Sequence, residues 1–94
     1  MARKMTAEDV AEAAAKLGDW TADGAAALNR TFRFADHITA MGFVTRVAMA
    51  AEVMDHHPEL RIVYNTVDVT LNTHSAGGVT EKDVALAGKI NSYA

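Results

Sequence analysis

The chain has no cysteine, which excludes a disulfide framework, a thiolate nucleophile and a cysteine-ligated zinc site. Positive charge is also scarce: nine Lys and Arg stand against twelve Asp and Glu, and a net charge of −3 is unlike a nucleic-acid-binding surface. No apolar run approaches the ~20 residues that a membrane-spanning helix needs. The first five residues lead into an acidic, alanine-rich stretch instead of the apolar segment of a secretory signal. We therefore expect a cytoplasmic protein that contacts neither nucleic acid directly nor a membrane.

Large apolar side chains are few as well. Half of the 94 residues are apolar, but 19 are alanine, and Leu, Ile, Val and Phe together number 20. A chain of this length has room for one domain, and a small domain buries only a modest fraction of its surface. The composition therefore predicts a single folded domain, 1–94, that gains stability by associating with copies of itself.

The first third of the chain predicts a helix followed by two strands. Thr6 and Asp9 form a weak capping-box-like start, and apolar residues at helical spacing run to a stop at Gly18. A short strand is expected to begin at Trp20, with a turn at 23–24 and a second strand over 28–34. The residues predicted to share the mostly apolar face of that second strand are Leu28, Arg30, Phe32 and Phe34.

A long helix is predicted from His37 to Met54, with Asp36 as its N-cap. Its second half, from residue 43, has apolar side chains on nearly every side, which favours burial on nearly every side. In a chain this small the second partner would be another subunit, so a homo-oligomer (dimer or tetramer) through helix 37–54 is expected. The alternative is that the alanines are simply exposed.

The second half of the chain predicts a hairpin and a final helix. Pro58 disfavours helical geometry before it, and period-two alternation follows over 60–65 and 67–72. A loop at 77–78 leads to Thr80 and Asp83, a capping box for a helix that ends at about Tyr93. The predicted fold is α+β, in the order αββαββα, with a four-stranded antiparallel sheet and helices packed on one face.

Three of the four histidines fall at the ends of these elements, where they could carry acid–base chemistry near neutral pH. His56 and His57 follow the long helix and His74 ends the last strand; Glu52 and Asp83 could supply carboxylates. If the helix extended to His56, Glu52 would share a face with it. Each residue also has a structural alternative: a surface histidine, a strand cap, a helix cap or a surface carboxylate. The spacings typical of zinc sites are missing, so we expect no metal.

The segments around these histidines resemble the signature of the pterin-4a-carbinolamine dehydratases. They are the run EVMDHHPE over 52–59, Tyr64-Asn65, the alternating stretch 67–74 that ends in Thr73-His74, and GVT over 78–80 with Asp83. The resemblance covers about 17–93. It implies the αββαββα fold and the loss of water from a 4a-hydroxytetrahydropterin to give quinonoid dihydropterin, without metal or organic cofactor.

The resemblance also implies roles for individual residues. His56 and His74 would be the acid–base pair, His57 would hold the pterin, and Glu52 would orient a histidine or act as an auxiliary base. Asp83 occupies the family's acidic position near the pocket. The further substrate-binding positions are Trp20, as a pocket wall unless it belongs to the core, and Pro58, Thr73, Ser75 and Ala76, through backbone groups.

A second function class remains open from the resemblance. Members or relatives of this family also serve as a dimerisation cofactor for a transcription factor or as an assembly chaperone for a carboxysomal enzyme. Degraded histidine motifs would favour such a non-catalytic interaction protein. All three histidines are present in this chain, which favours the enzyme.

Overall fold

The computed structural model describes residues 3–94; residues 1 and 2, the start of the predicted domain 1–94, lie outside the described residues. The chain folds in the order αββαββα, as predicted. The helices are α1 (Ala7–Leu17), α2 (His37–Met54) and α3 (Glu81–Tyr93), and the strands are β1 (Thr21–Asp23), β2 (Ala27–Arg33), β3 (Glu59–Val63) and β4 (Thr66–Leu71). The segment His74–Ala76 forms one 3-10 turn.

The helices begin where the sequence predicted, because each has a side chain that satisfies free N–H groups of its first turn. Thr6 accepts a hydrogen bond from the backbone N–H of Asp9 at 3.1 Å. Asp36 accepts one from the N–H of Thr39 at 2.7 Å. The capping box of α3 is also present, with Thr80 as N-cap.

The four strands form one antiparallel sheet in the order β1-β2-β4-β3. In the central pair, Leu28 lies opposite Leu71 and Phe32 opposite Val67, so their apolar side chains share one face. That face is covered by the helices, which confirms the predicted architecture. The other face is polar, and Thr31 donates there to Asp68 at 2.7 Å. β2 begins and ends one residue earlier than predicted, and β1 begins at Thr21, immediately after Trp20.

The core lies between the sheet and the helices. On α2 the buried residues are Ala40, Phe43, Val47 and Ala51, one stripe at helical spacing. The ring of Phe43 lies 4.7 Å from that of Phe32 and 4.9 Å from that of Phe34, measured between centroids. α3 contributes Leu86, Ala87 and Ile90 to the same cluster.

The opposite side of α2 carries apolar side chains that the rest of residues 3–94 leaves exposed. Ile38 is 83% exposed, Met49 66% and Val53 87%. One side of α2 is therefore buried in the core, whereas the second partner expected to cover the outer side stays a prediction. Within residues 3–94, no helix combines the length and the apolar character that crossing a bilayer requires.

Candidate active site

The end of α2 directs His56 into the protein. Asp55 adopts the left-handed conformation with φ of 50°, which an aspartate tolerates better than most residues. The N–H of His56 then turns back to donate to the carbonyl of Ala51 at 3.0 Å, a typical helix C-terminal closure. Pro58 follows and prevents the helix from continuing. This closure brings the side chain of His56 towards α3.

His56 meets a buried carboxylate there. Asp83, in the first turn of α3, is fully buried, and its Oδ1 lies 2.5 Å from Nε2 of His56. The side chain of His56 is itself only 10% exposed. A carboxylate removed from water needs hydrogen-bond donors on both oxygens. The pair is therefore a positioned, desolvated unit, unlike a surface ion pair.

The second oxygen of Asp83 serves the helix cap and the neighbouring turn. Oδ2 accepts the backbone N–H of Thr80 at 2.9 Å and the hydroxyl of Thr73 at 2.8 Å. The sequence left two interpretations of Asp83, a cap and an acidic site residue. The structure divides these contacts between the two oxygens, with the cap on Oδ2 and the histidine on Oδ1.

His57 and Glu52 form a separate, exposed pair. Nε2 of His57 lies 2.8 Å from Oε1 of Glu52, with side chains 57% and 79% exposed. α2 stops at Met54, so the helical spacing that would have placed Glu52 beside His56 is interrupted, and Glu52 contacts His57 instead. The adjacent histidines point to different partners: one to a buried acid, the other to a surface acid.

His74 begins the 3-10 turn that follows β4. Backbone hydrogen bonds of the preceding residue, Thr73, close this turn. The carbonyl of Thr73 accepts the N–H groups of Ala76 and Gly77, each at 3.0 Å, and its own N–H donates to Gly78 at 2.8 Å. The Thr73 side chain reaches the carboxylate that also contacts His56. His74 and Ser75 are exposed, and Ala76 and Pro58 are partly buried. The structure thus brings together His56, Asp83 and the 73–76 turn.

Trp20 lies in the core, 5% exposed. Its indole N–H donates to Asn91 at 2.7 Å, and its ring meets Phe32 edge-on at 6.2 Å between centroids. None of these hydrogen-bond or ring contacts, among residues 3–94, involves a histidine. Trp20 is therefore a core residue, which was the alternative interpretation of the sequence. Its role as a pocket wall stays a prediction.

A groove of about 410 Å³ lies elsewhere, along α1 beside Val84 of α3, and no histidine of the described residues lines it. Its lining residues are Met5, Asp9, Glu12, Ala13, Lys16, Leu17 and Val84. The charged residues there are exposed, and Lys16 pairs with Glu12 at 3.3 Å. A buried acid–base pair is the stronger mark of a reactive site than concavity alone, so the candidate site is the histidine cluster.

Across residues 3–94, no three His, Asp or Glu side chains are grouped as metal ligands would be.

The family model described as pterin 4 alpha carbinolamine dehydratase matches residues 3–93. This chain belongs to that family. A Mesorhizobium japonicum protein that carries the provisional name pterin-4-alpha-carbinolamine dehydratase is 54% identical, over 96% of this chain and 93% of its own. A Chelativorans protein of the same provisional name is 49% identical, over 100% and 98%. The resemblance seen in the sequence is confirmed.

Solved structures agree with the family fold. A Brucella melitensis protein described as a transcriptional coactivator/pterin dehydratase superposes with a TM-score of 0.92 at 46% identity, over 98% of this chain and 99% of its own. A pterin dehydratase-like protein described as a RuBisCO assembly factor in the alpha-carboxysome has a TM-score of 0.67 at 21% identity, over 80% and 88%. The second likeness concerns the fold alone.

In this pterin dehydratase family member, the cluster has the groups that proton transfer requires. An ionised carboxylate only accepts hydrogen bonds, so with Asp83 in that form the contact requires the proton of a neutral His56 ring on Nε2 and leaves Nδ1 as the acceptor. The sequence predicted both residues but not this contact. It also did not predict the side-chain role of Thr73, because a lone threonine at a strand end carries no distinctive signal.

Proposed function

We propose that the protein is a dehydratase acting on 4a-hydroxytetrahydropterins, in recycling of the pterin cofactor of aromatic amino-acid hydroxylases. The observation that carries the proposal is the buried Asp83–His56 pair beside the turn that bears His74. Membership of the dehydratase family supports the substrate class. The reaction needs one proton donor and one proton acceptor, and we expect neither metal nor organic cofactor.

The proton balance of the reaction assigns complementary roles to two histidines. The bond between C4a and its hydroxyl breaks, and the hydroxyl takes up a proton to leave as water. The pyrazine nitrogen loses a proton, and its electron pair forms the new double bond to C4a. His56 accepts the nitrogen proton at Nδ1, and Asp83 stabilises the imidazolium that results. His74 donates the proton to the leaving hydroxyl. After product release His56 gives its extra proton to solvent and His74, which is exposed, takes one up, so that both rings return to their starting states.

The exposed pair His57–Glu52 would hold the pterin at the mouth of the site. The carboxylate of Glu52 accepts a hydrogen bond from Nε2 of His57 and so orients the ring. Backbone groups at Pro58 and along 73–76 would meet the polar edge of the heterocycle. Such backbone groups can recognise a flat heterocycle through its polar ring edge, without deep enclosure.

The test is the dehydration of freshly generated 4a-hydroxytetrahydropterin, followed by absorbance with and without protein. Acceleration over the spontaneous reaction is expected, and pre-treatment with a chelator should leave it unchanged. A rate equal to that of the buffer alone would contradict the dehydratase. Loss of activity with the chelator, restored by a divalent metal, would show that a metal takes part.

We also propose that the protein is a homo-oligomer through the outer face of α2, defined by Ile38, Met49 and Val53. These side chains recur at helical spacing and are more than half exposed in the single chain. A face of this kind excludes water when a second copy covers it. Cytoplasmic location and a single domain over 1–94 stay predictions.

The same face supports the second candidate, an interaction protein that binds a transcription factor or assists enzyme assembly. Such a role would use an exposed apolar face of this kind and needs no buried His–Asp pair. The absorbance assay separates the two: a folded protein that oligomerises but does not accelerate dehydration would favour the interaction protein. Activity would favour the enzyme without excluding a partner.

A further inference from the structure

We propose that Thr73 is a positioning residue, whose hydroxyl orients the Asp83–His56 pair relative to His74. The proposal rests on the dehydratase function for its kinetic consequence, but not for its structural one. Thr73 is 5% exposed, and its Oγ1 lies 2.8 Å from both Asp83 Oδ2 and Thr80 Oγ1. It immediately precedes His74 in the chain.

Donor counting determines the direction of these hydrogen bonds. Thr73 has one hydroxyl proton, and the ionised Asp83 carboxylate can only accept, so that proton goes to Oδ2. The hydroxyl of Thr80 must then donate to Thr73, while Thr80 Oγ1 accepts the N–H of Lys82 at 3.3 Å. The result is a directed chain from the first turn of α3 through two hydroxyls to the carboxylate. Each donor in such a chain strengthens the next.

These hydrogen bonds limit the rotation of the Asp83 carboxylate. Oδ2 is held by two donors from different elements, the Thr80 N–H of α3 and the Thr73 hydroxyl of the turn. With Oδ2 held, Oδ1 is left facing Nε2 of His56. Without the Thr73 hydroxyl, Oδ2 keeps one donor and the carboxylate can turn. The imidazole of His56 then loses the contact that determines which nitrogen carries its proton.

The same hydroxyl links the two catalytic segments. His56 follows the end of α2, and His74 lies in the turn after β4. The Asp83 carboxylate makes hydrogen bonds to both His56 and Thr73. If Thr73 were purely structural, its hydroxyl would only supply a hydrogen bond to the buried carboxylate that caps α3. Its loss would then lower the stability of the fold and leave the ring of His56 as it is. This difference separates positioning from packing.

The experiment compares Thr73→Val, which keeps the shape and removes the hydroxyl, with Thr73→Ser, which keeps the hydroxyl. Thr70→Val is the matched control, because the Thr70 hydroxyl donates at 2.8 Å to the side-chain oxygen of Asn29 on the polar face of the sheet, and not to a carboxylate. Long-range ¹H–¹⁵N NMR of the full chain reports the tautomer of the neutral His56 ring. The dehydration assay reports kcat and KM.

We expect the parent, Thr73→Ser and Thr70→Val to keep His56 protonated on Nε2. Thr73→Val should show a mixture of tautomers and a kcat lower by about tenfold or more, the scale of losing one hydrogen bond to a charged group, with KM within about twofold. An unchanged His56 tautomer in folded Thr73→Val would overturn the proposal. Should Thr73→Val fail to fold, Thr73→Cys, which has only a weak donor, carries the same test with the same outcomes.

The two proposals fail in different ways. If the parent protein does not accelerate dehydration, the dehydratase function is wrong, but the tautomer of His56 still tests the role of Thr73. If the parent is active and Thr73→Val keeps both the tautomer and kcat, positioning by Thr73 is wrong and the dehydratase function stands. A fall in kcat that Thr73→Ser shares would also contradict the role of the hydroxyl.

Discussion

Asp83 and His56, 27 residues apart in the chain, meet through Oδ1 and Nε2 at 2.5 Å, with the carboxylate fully buried. The same carboxylate closes the N-terminus of α3 through its other oxygen. Burial in this form costs free energy unless both oxygens are satisfied, and here both are. The helix cap and the proposed catalytic base therefore depend on one side chain.

Replacing Asp83 by Asn tests this double role. The amide keeps the size but removes the charge that stabilises the imidazolium, so we expect kcat to fall by about 10²-fold or more. The free energy of unfolding should also fall, by roughly 1–3 kcal/mol, because a buried hydrogen-bonded charge is lost. Stopped-flow absorbance and urea unfolding measure the two effects. Asp68→Asn, on the polar face of the sheet, is the control, and equal rates for both variants would contradict the role of Asp83.

Single alanine variants test the histidines. His56→Ala and His74→Ala should each lower kcat by about 10²–10⁴-fold, the range for a lost acid or base. His57→Ala should mainly raise KM, because we assign it to binding. His37 provides the matched control: it lies at the start of α2, where its Nδ1 contacts the Tyr64 carbonyl at 2.7 Å. His37→Ala should keep the parent rate, and a fall there equal to that of His56→Ala would contradict the assignment.

A charge on the outer face of α2 tests the proposed self-association. Met49→Glu places a carboxylate among apolar side chains that would be buried between subunits, at a high desolvation cost. Light scattering after size-exclusion chromatography should show an oligomer for the parent at micromolar concentration and a smaller species for the variant. Ala15→Glu, which adds the same charge to an exposed position of α1, should leave the mass unchanged. A monomeric parent would contradict the proposal.

The pH dependence of stability should reflect the cap of α2. Hydrogen bonds from the backbone and side chain of Thr39 hold the pKa of Asp36 below its ordinary value, with a smaller contribution from the charge of His37. A carboxyl whose pKa is lower in the folded state contributes stability above its unfolded pKa, and that contribution is lost as the pH falls through the folded pKa. Below about pH 4 the parent should therefore lose stability faster than Asp36→Asn, which caps but does not titrate.

Urea unfolding at a series of pH values between about 2.5 and 6 measures this difference. Every other carboxyl group is present in both proteins, so the comparison isolates Asp36. Parallel stability profiles for the parent and Asp36→Asn would show that the cap contributes no pH dependence.

Much of the fold could be read from local patterns. Asp36 and Pro58 bracket α2, which runs from His37 to Met54 as predicted, because a cap and a proline act on the backbone of their own neighbours. The alternation of Val67, Val69 and Leu71 places one face of β4 in the core for the same local reason. The sequence predicted the ends of the strands less well. β2 begins and ends one residue earlier than predicted, since pairing with a distant strand sets its limits.

The sequence by itself also predicted which residues would carry the chemistry, because the histidine motifs resemble those of a family to which the chain belongs. It did not determine how they combine. Glu52 was expected near His56 if the helix continued, but the left-handed turn at Asp55 gives it His57 as a partner. Only the packing of α2 and β4 against α3 decided that His56 and Thr73 share the carboxylate of Asp83. Such contacts join residues far apart in the chain, and no local backbone preference encodes them.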